Sequence, residues 1–171
     1  AREAVRKLYN EGVSFIKIYE LTSPEVFNAL VEVADELDLP IDSHVPLSMR
    51  ASVAGPRVDS IEHLRNIELD CAANADELLI DRIRQLKNPK GLTGAELRAS
   101  LHSSQRLPAI RNYDEFQCSQ TIKSLSETLM VPTLRLNSII LNPPYEKDDW
   151  KDALSRLPTS VQAQWFLEGE R

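Results

Sequence analysis

This chain has little of what metal centres and disulfide scaffolds are usually made from: three histidines and two cysteines. Cys71 and Cys118 are too few and too far apart for a disulfide framework or a zinc motif, so buried free thiols are the expected state. No run of about 18 apolar residues occurs and no charged-then-apolar leader opens the chain, which gives neither a membrane span nor an export signal and leaves the compartment open. Basic patches are missing too. The net charge is −6 with both signs mixed along the chain, and that argues against nucleic acid or an anionic membrane surface as partner. There is no internal repeat and no low-complexity tract.

What is present suffices for one domain: 171 residues, 42% of them hydrophobic, can bury a core of single-domain size. A helix with Val5, Leu8 and Tyr9 on one face is expected up to Gly12, followed by a strand over 14–19. Thr22-Ser23-Pro24-Glu25 then offers a hydroxyl N-cap before a first-turn proline, and Val26, Phe27, Leu30, Val33, Ala34 and Leu37 recur at helical spacing. Further strands are expected at 40–45 and 58–63, with a short helix over 48–54 closed by Gly55 between them. The segment 70–129 is a helical excursion, with helices at 76–86, from a Thr93–Glu96 capping box onward, and at 113–125. A fourth strand at 129–135 carries Pro132, which suits an edge or bulge. Asn142-Pro143-Pro144 stops regular structure before polar helical segments from Lys147 onward.

Strands alternating with helices imply an α/β fold with parallel pairing, either a doubly wound sheet or a barrel. A doubly wound nucleotide binder places a glycine-rich loop after its first strand, where this chain has Glu20-Leu21-Thr22. A β/α barrel puts its chemistry at the carboxyl ends of several strands, and there the chain has Lys17, His44 and His63. Lys17 sits inside Ser14-Phe15-Ile16-Lys17-Ile18-Tyr19, where an amine among β-branched and aromatic residues is costly to desolvate. By strand alternation Phe15, Lys17 and Tyr19 share a face, as do Asp42 and His44, and Ile61, His63 and Arg65; Glu62 is expected to point away and to be structural. Neutral imidazoles ligate zinc, and a metal polarises a carbonyl and acidifies water. A lysine must first lose its proton, after which it can take up carbon dioxide as a carbamate or form a Schiff base. Tyr19 and Arg65 are candidates to orient substrate, the phenol to a carbonyl and the guanidinium to a carboxylate. Asp42 is a candidate partner for an imidazole, while His102, Trp150 and Trp165 read as packing or surface residues.

The order and spacing of Phe15-Ile16-Lys17-Ile18-Tyr19, Leu39-Pro40-Ile41-Asp42-Ser43-His44-Val45-Pro46 and Ser60-Ile61-Glu62-His63-Leu64 resemble the amidohydrolase superfamily, in its imidazolonepropionase-like and Xaa-Pro dipeptidase-like branch. Val131-Pro132-Thr133-Leu134 resembles that branch's seventh strand, and the resemblance runs from about residue 1 to residue 168. It implies a carboxylated lysine bridging two metals at Lys17 and metal-binding histidines at His44 and His63. It further implies a divalent metal, zinc first, with iron, manganese and cobalt also suited to the ligands, and a small-molecule or dipeptide-like substrate with an amide or cyclic amide bond.

The family's His-x-His pair and its general-base aspartate have no counterpart here. The expectation is therefore a partial TIM-type barrel, strands four to seven of a domain of about 250 residues, whose natural start lies upstream. Such a piece is expected to hold no metal tightly, to be inactive alone, and to self-associate as a homo-oligomer through its open edges. Two other readings stand beside this one: a Schiff-base lyase of barrel fold using Lys17, and a non-catalytic scaffold fragment.

Overall fold

A computed structural model describes residues 1–134 and 148–169 of the chain. It divides into two units, Ala1–Pro132 and Thr133–Arg171. The first opens with α1 (Arg2–Asn10), β1 (Ile16–Ile18), α2 (Pro24–Glu36), β2 (Ile41–Ser43) and α3 (Ala51–Ala54), which runs into a 3-10 turn (Gly55–Arg57), and then β3 (Ser60–Glu62). Four helices follow, α4 (Ile67–Asp70), α5 (Ala75–Lys87), α6 (Gly94–Arg111) and α7 (Glu115–Ser124), before β4 (Leu129–Val131).

The four strands form one parallel sheet in the order β1-β2-β3-β4. Sequential parallel order with helical crossovers is the winding of a β/α barrel; a doubly wound sheet reverses direction from its first strand. The fold is thus α/β, with a sheet compatible with part of a barrel. Each strand lies within its expected range but keeps only three laddered residues. In β4 the shortening has a local cause: Leu129 and Val131 are the residues bonded to β3, and Thr133, the next in that alternation, takes a left-handed φ of +47° and leaves the extended conformation.

One face of the sheet is apolar: Ile16, Ile18, Ile41 and Ile61 are buried and join Phe27, Val31 and Val33 of α2 in the main core. The other face carries Lys17, Asp42, Ser60 and Glu62, as the pairings Lys17 with Asp42 and Asp42 with Ser60 require. This corrects the expected faces, since Ile61 belongs to the core side and Glu62 to the side of Lys17.

The local signals account for most helix boundaries. Ser23 Oγ accepts from the Val26 N–H at 3.3 Å with Pro24 in the first turn, and Asp114 caps α7 by accepting from the Gln117 N–H at 2.7 Å. Gly12 takes the left-handed φ of +84° that ends α1. Gly55 does not act as a left-handed cap; its φ is −59°, and a Cβ there would come within 2.1 Å of Leu125 Cδ2, so any larger residue would displace that buried side chain. Thr93 stands at the N-cap of α6 without a side-chain cap bond, so the expected capping box is not formed.

Cys71 and Cys118 are bonded as a disulfide, which corrects the expectation of free thiols. The excursion doubles back on itself: the Asp114 N–H donates to the Cys71 carbonyl and the Ala73 N–H to that of Asn112, which brings the start of α7 to the end of α4. Sequence separation contained none of that.

The second unit contains α8 (Asp148–Ser155) and α9 (Thr159–Gly169), joined by a turn whose Leu157 carbonyl accepts from Gln162 Nε2 at 2.7 Å. The expected break at 142–144 and the side chains of Trp150 and Trp165 lie outside the described residues. Among those residues no helix is long and apolar enough to cross a membrane.

Candidate functional site

His44 and His63 come together just beyond the carboxyl ends of β2 and β3, and Lys17 on β1 is near enough to act electrostatically on His44. Lys17 is the middle residue of β1, whereas His44 and His63 each follow the last residue of their strand. The His44 and His63 rings stand 4.9 Å apart between centroids, and the Tyr19 ring lies 4.5 Å from that of His44. His44 is buried, and neither of its ring nitrogens has a hydrogen-bond partner among the described residues. Burial lowers its pKa, and Lys17 and His63 add to that against an opposing pull from Glu20, so the imidazole is held neutral, the form in which it can ligate.

Lys17 is engaged differently. Its ammonium hydrogen-bonds to Asp42 and lies 3.0 Å from Glu62 Oε1, and the Ser60 hydroxyl donates to Asp42 at 2.7 Å. Burial alone would lower the lysine pKa, but the bonds to Asp42 and Glu62 outweigh it and raise the value. An amine held this firmly as a cation is ready neither to form a Schiff base nor to take up carbon dioxide, and both chemistries first require its proton to leave. Asp42 therefore partners Lys17 and not an imidazole.

Glu62 belongs to the site, contrary to its expected structural role: besides Lys17, its Oε2 lies 3.6 Å from His63 Nδ1. The alternation argument failed because the pleat ends at Glu62. His63 and Leu64 have φ of +65° and +54°, and Asn66 follows at +70°, so the loop after β3 turns through left-handed backbone and swings His63 round to the same end. That loop is tied down. Asn66 Nδ2 donates to the Val45 carbonyl at 3.0 Å, and its Oδ1 accepts from Arg82 at 2.8 Å. Arg82 also donates to Gln105 at 2.6 Å; burial brings its pKa down to about 10, so it stays charged at neutral pH.

Sequence reasoning missed Glu20 altogether and took His102 for a packing residue. Glu20 is wholly buried just beyond β1, with His102 Nε2 at 3.3 Å from both carboxylate oxygens, Arg98 Nε at 3.6 Å and an Arg65 nitrogen at 3.9 Å. Burial raises its pKa, but the hydrogen bond and charge of His102, with help from His44 and Arg65, leave it below the usual value. The signal was available: Arg98 and His102 are four residues apart on one helix and share a face. Arg65 thus faces Glu20, and Tyr19, more than half exposed, leans its ring on His44.

Two adjacent imidazoles, one with both nitrogens stranded, fit a metal. Lys17 as an ammonium does not, and among the described residues no group of three or more histidine, cysteine, aspartate or glutamate side chains is arranged to hold one. The donor set is short of complete.

No family model matches the chain, and no curated protein matches it. A solved structure of bottromycin amidohydrolase aligns with it at 23% identity and a TM-score of 0.34, covering 72% of this chain and 36% of that one. The chain therefore spans about a third of that protein's length, a coarse likeness from which nothing about the site follows.

Proposed function

We propose that this chain supplies the metal-binding edge of a barrel amidohydrolase that hydrolyses an amide, peptide-like or cyclic amide bond. The observation that carries the reading is His44, whose two ring nitrogens are buried and unpartnered among the described residues beside a second imidazole. A buried polar group left without a partner costs about 1–3 kcal/mol, and a Lewis acid is the partner this geometry lacks.

In this reading His44 and His63 hold a divalent metal, which supplies polarisation of the scissile carbonyl and a lower pKa for water. Lys17 would serve as a carbamate, formed when its free amine adds carbon dioxide and releases a proton, and so must first give up the proton that Asp42 and Glu62 now stabilise. A dication held by His44 and His63 would favour that loss, which Asp42 and Glu62 oppose. Tyr19 and Arg65 flank the histidines and orient the substrate. The isolated chain, with two imidazoles and no complete anionic set, binds metal weakly and does not turn over substrate. The outer edges of β1 and β4 pair with no further strand among the described residues, which supports self-association; a clean monomer in sedimentation at micromolar concentration counts against it.

The experiment is amide hydrolysis by the complete barrel that contains this segment. His44→Asn and His63→Asn should each lower kcat/KM by about a hundredfold or more, and a chelator should abolish turnover. Hydrolysis that survives both substitutions refutes the reading.

A further inference from the structure

We propose that Arg65 and Arg98 form an anion subsite at the mouth of the histidine edge, and that it takes the carboxylate of an N-acyl amino acid or peptide-like substrate. This deepens the reading of that edge as an amide-hydrolysing site and rests on it.

Three elements bring the groups together. Glu20 follows β1, Arg65 lies two residues after His63 in the loop that leaves β3, and Arg98 and His102 project from α6. Glu20 is completely buried, whereas the Arg65 and Arg98 side chains are 32% and 30% exposed. The carboxylate therefore sits behind the guanidinium groups, and an arriving ligand meets the guanidinium side first.

Those groups have binding capacity to spare. At 3.9 Å and 3.6 Å from Glu20 both guanidinium groups are in ion-pair range but outside hydrogen-bond range of it. Two permanent positive charges face one negative charge, a local excess of +1 in a chain whose net charge is −6. Glu20 holds the pair in place without consuming its donors. A planar guanidinium offers parallel N–H groups that match a carboxylate in a forked pair, which gives both charge and orientation. A neutral amide in the same place could satisfy neither the fork nor the excess charge. Because Arg65 and His63 share one short loop, a substrate anchored by its carboxylate at Arg65 presents the neighbouring amide bond toward the histidines, the positioning that lowers an entropic barrier to attack.

The test is an NMR titration of the labelled chain with N-acetyl-L-alanine, following the Arg65 and Arg98 Nε–H groups and the His102 ring. The expected result is saturable shifts at all three with N-acetyl-L-alanine and none with N-acetyl-L-alaninamide. Arg98→Gln or Arg65→Gln should weaken binding at least about tenfold, the loss that goes with removing one charge-assisted pair. Arg98→Lys, which keeps the charge and loses the fork, should recover only part of it and serves if the glutamine variant does not fold. Equal binding of acid and amide, or unchanged affinity in folded variants, overturns the proposal. So does inorganic phosphate binding more tightly than the carboxylate at these same groups. A separate zinc titration at His44 and His63 reports on the metal reading alone, so the two ideas can fail independently.

Discussion

Asn66 donates to the carbonyl of Val45 at 3.0 Å, and so couples the residue that follows His44 to the loop that carries His63. Both partners are buried, and Arg82 holds the other end of the Asn66 carboxamide. Asn66→Ala removes both bonds and puts an unsuitable residue at a φ of +70°. It should cost about 2–4 kcal/mol in urea unfolding. Asn66→Gly loses the same bonds without the backbone strain and should be less damaging by about 1 kcal/mol. Equal losses in the two variants would show that the left-handed conformation carries no strain.

The same loop marks the limit of what the sequence revealed about the site. Runs such as Ile16-Lys17-Ile18 and Ile41-Asp42-Ser43 announce strands through β-branched residues, and the capping residues Ser23 and Pro24 announce α2, so the order of elements and the placement of His44 and His63 directly after their strands were legible. Facing in β3 was misread because Ile61 and Glu62 were assigned by alternation from His63, which lies beyond the strand. Beyond Glu62 the left-handed residues break the period of two, and no sequence rule marks where that happens. Glu20 and the Cys71–Cys118 disulfide were hidden for another reason: both depend on how the helical excursion folds back, and that is a tertiary fact.

Lys17 lies between two carboxylates, and its removal should expose their mutual repulsion. Lys17→Met is expected to destabilise the fold by about 1–3 kcal/mol, between the ranges for exposed and buried ion pairs. Adding Glu62→Gln should restore part of the loss, because only Asp42, already bonded to the Ser60 hydroxyl, then remains charged. A double-mutant cycle by urea unfolding measures the coupling; strict additivity would mean that Lys17 and Glu62 do not interact in solution.

Glu20 should govern part of the acid limb of stability. Its folded pKa lies below the ordinary value of 4.5, so the stability it contributes is fully present above that value and is lost as the pH falls through the folded one. The groups that act on it are His102 and Arg98 from α6, Arg65 from the β3–α4 loop, His44 beyond β2, and Arg82 from α5, and all favour the carboxylate. Glu20→Gln should therefore be less stable than the parent by about 1–3 kcal/mol at pH 7, with the two curves converging in acid. Parallel curves from pH 7 to pH 3 would contradict this.

The disulfide closes a span of 47 residues. On chain-entropy grounds its reduction should cost ~4 kcal/mol, seen as a lower urea midpoint in the presence of reductant. Cys118→Ser should match the reduced protein and no longer respond to reductant. A parent chain indifferent to reductant would restore the reading of two free thiols.

The central claim, that His44 and His63 form a metal-binding pair, is tested most directly by titrating zinc into the chain and following the ring-nitrogen resonances of its three histidines. The account predicts a weak, saturable change at His44 and His63 together, with His102 shifting little and the response lost in His44→Asn. Shifts at His102 or elsewhere with His44 and His63 unmoved would contradict it.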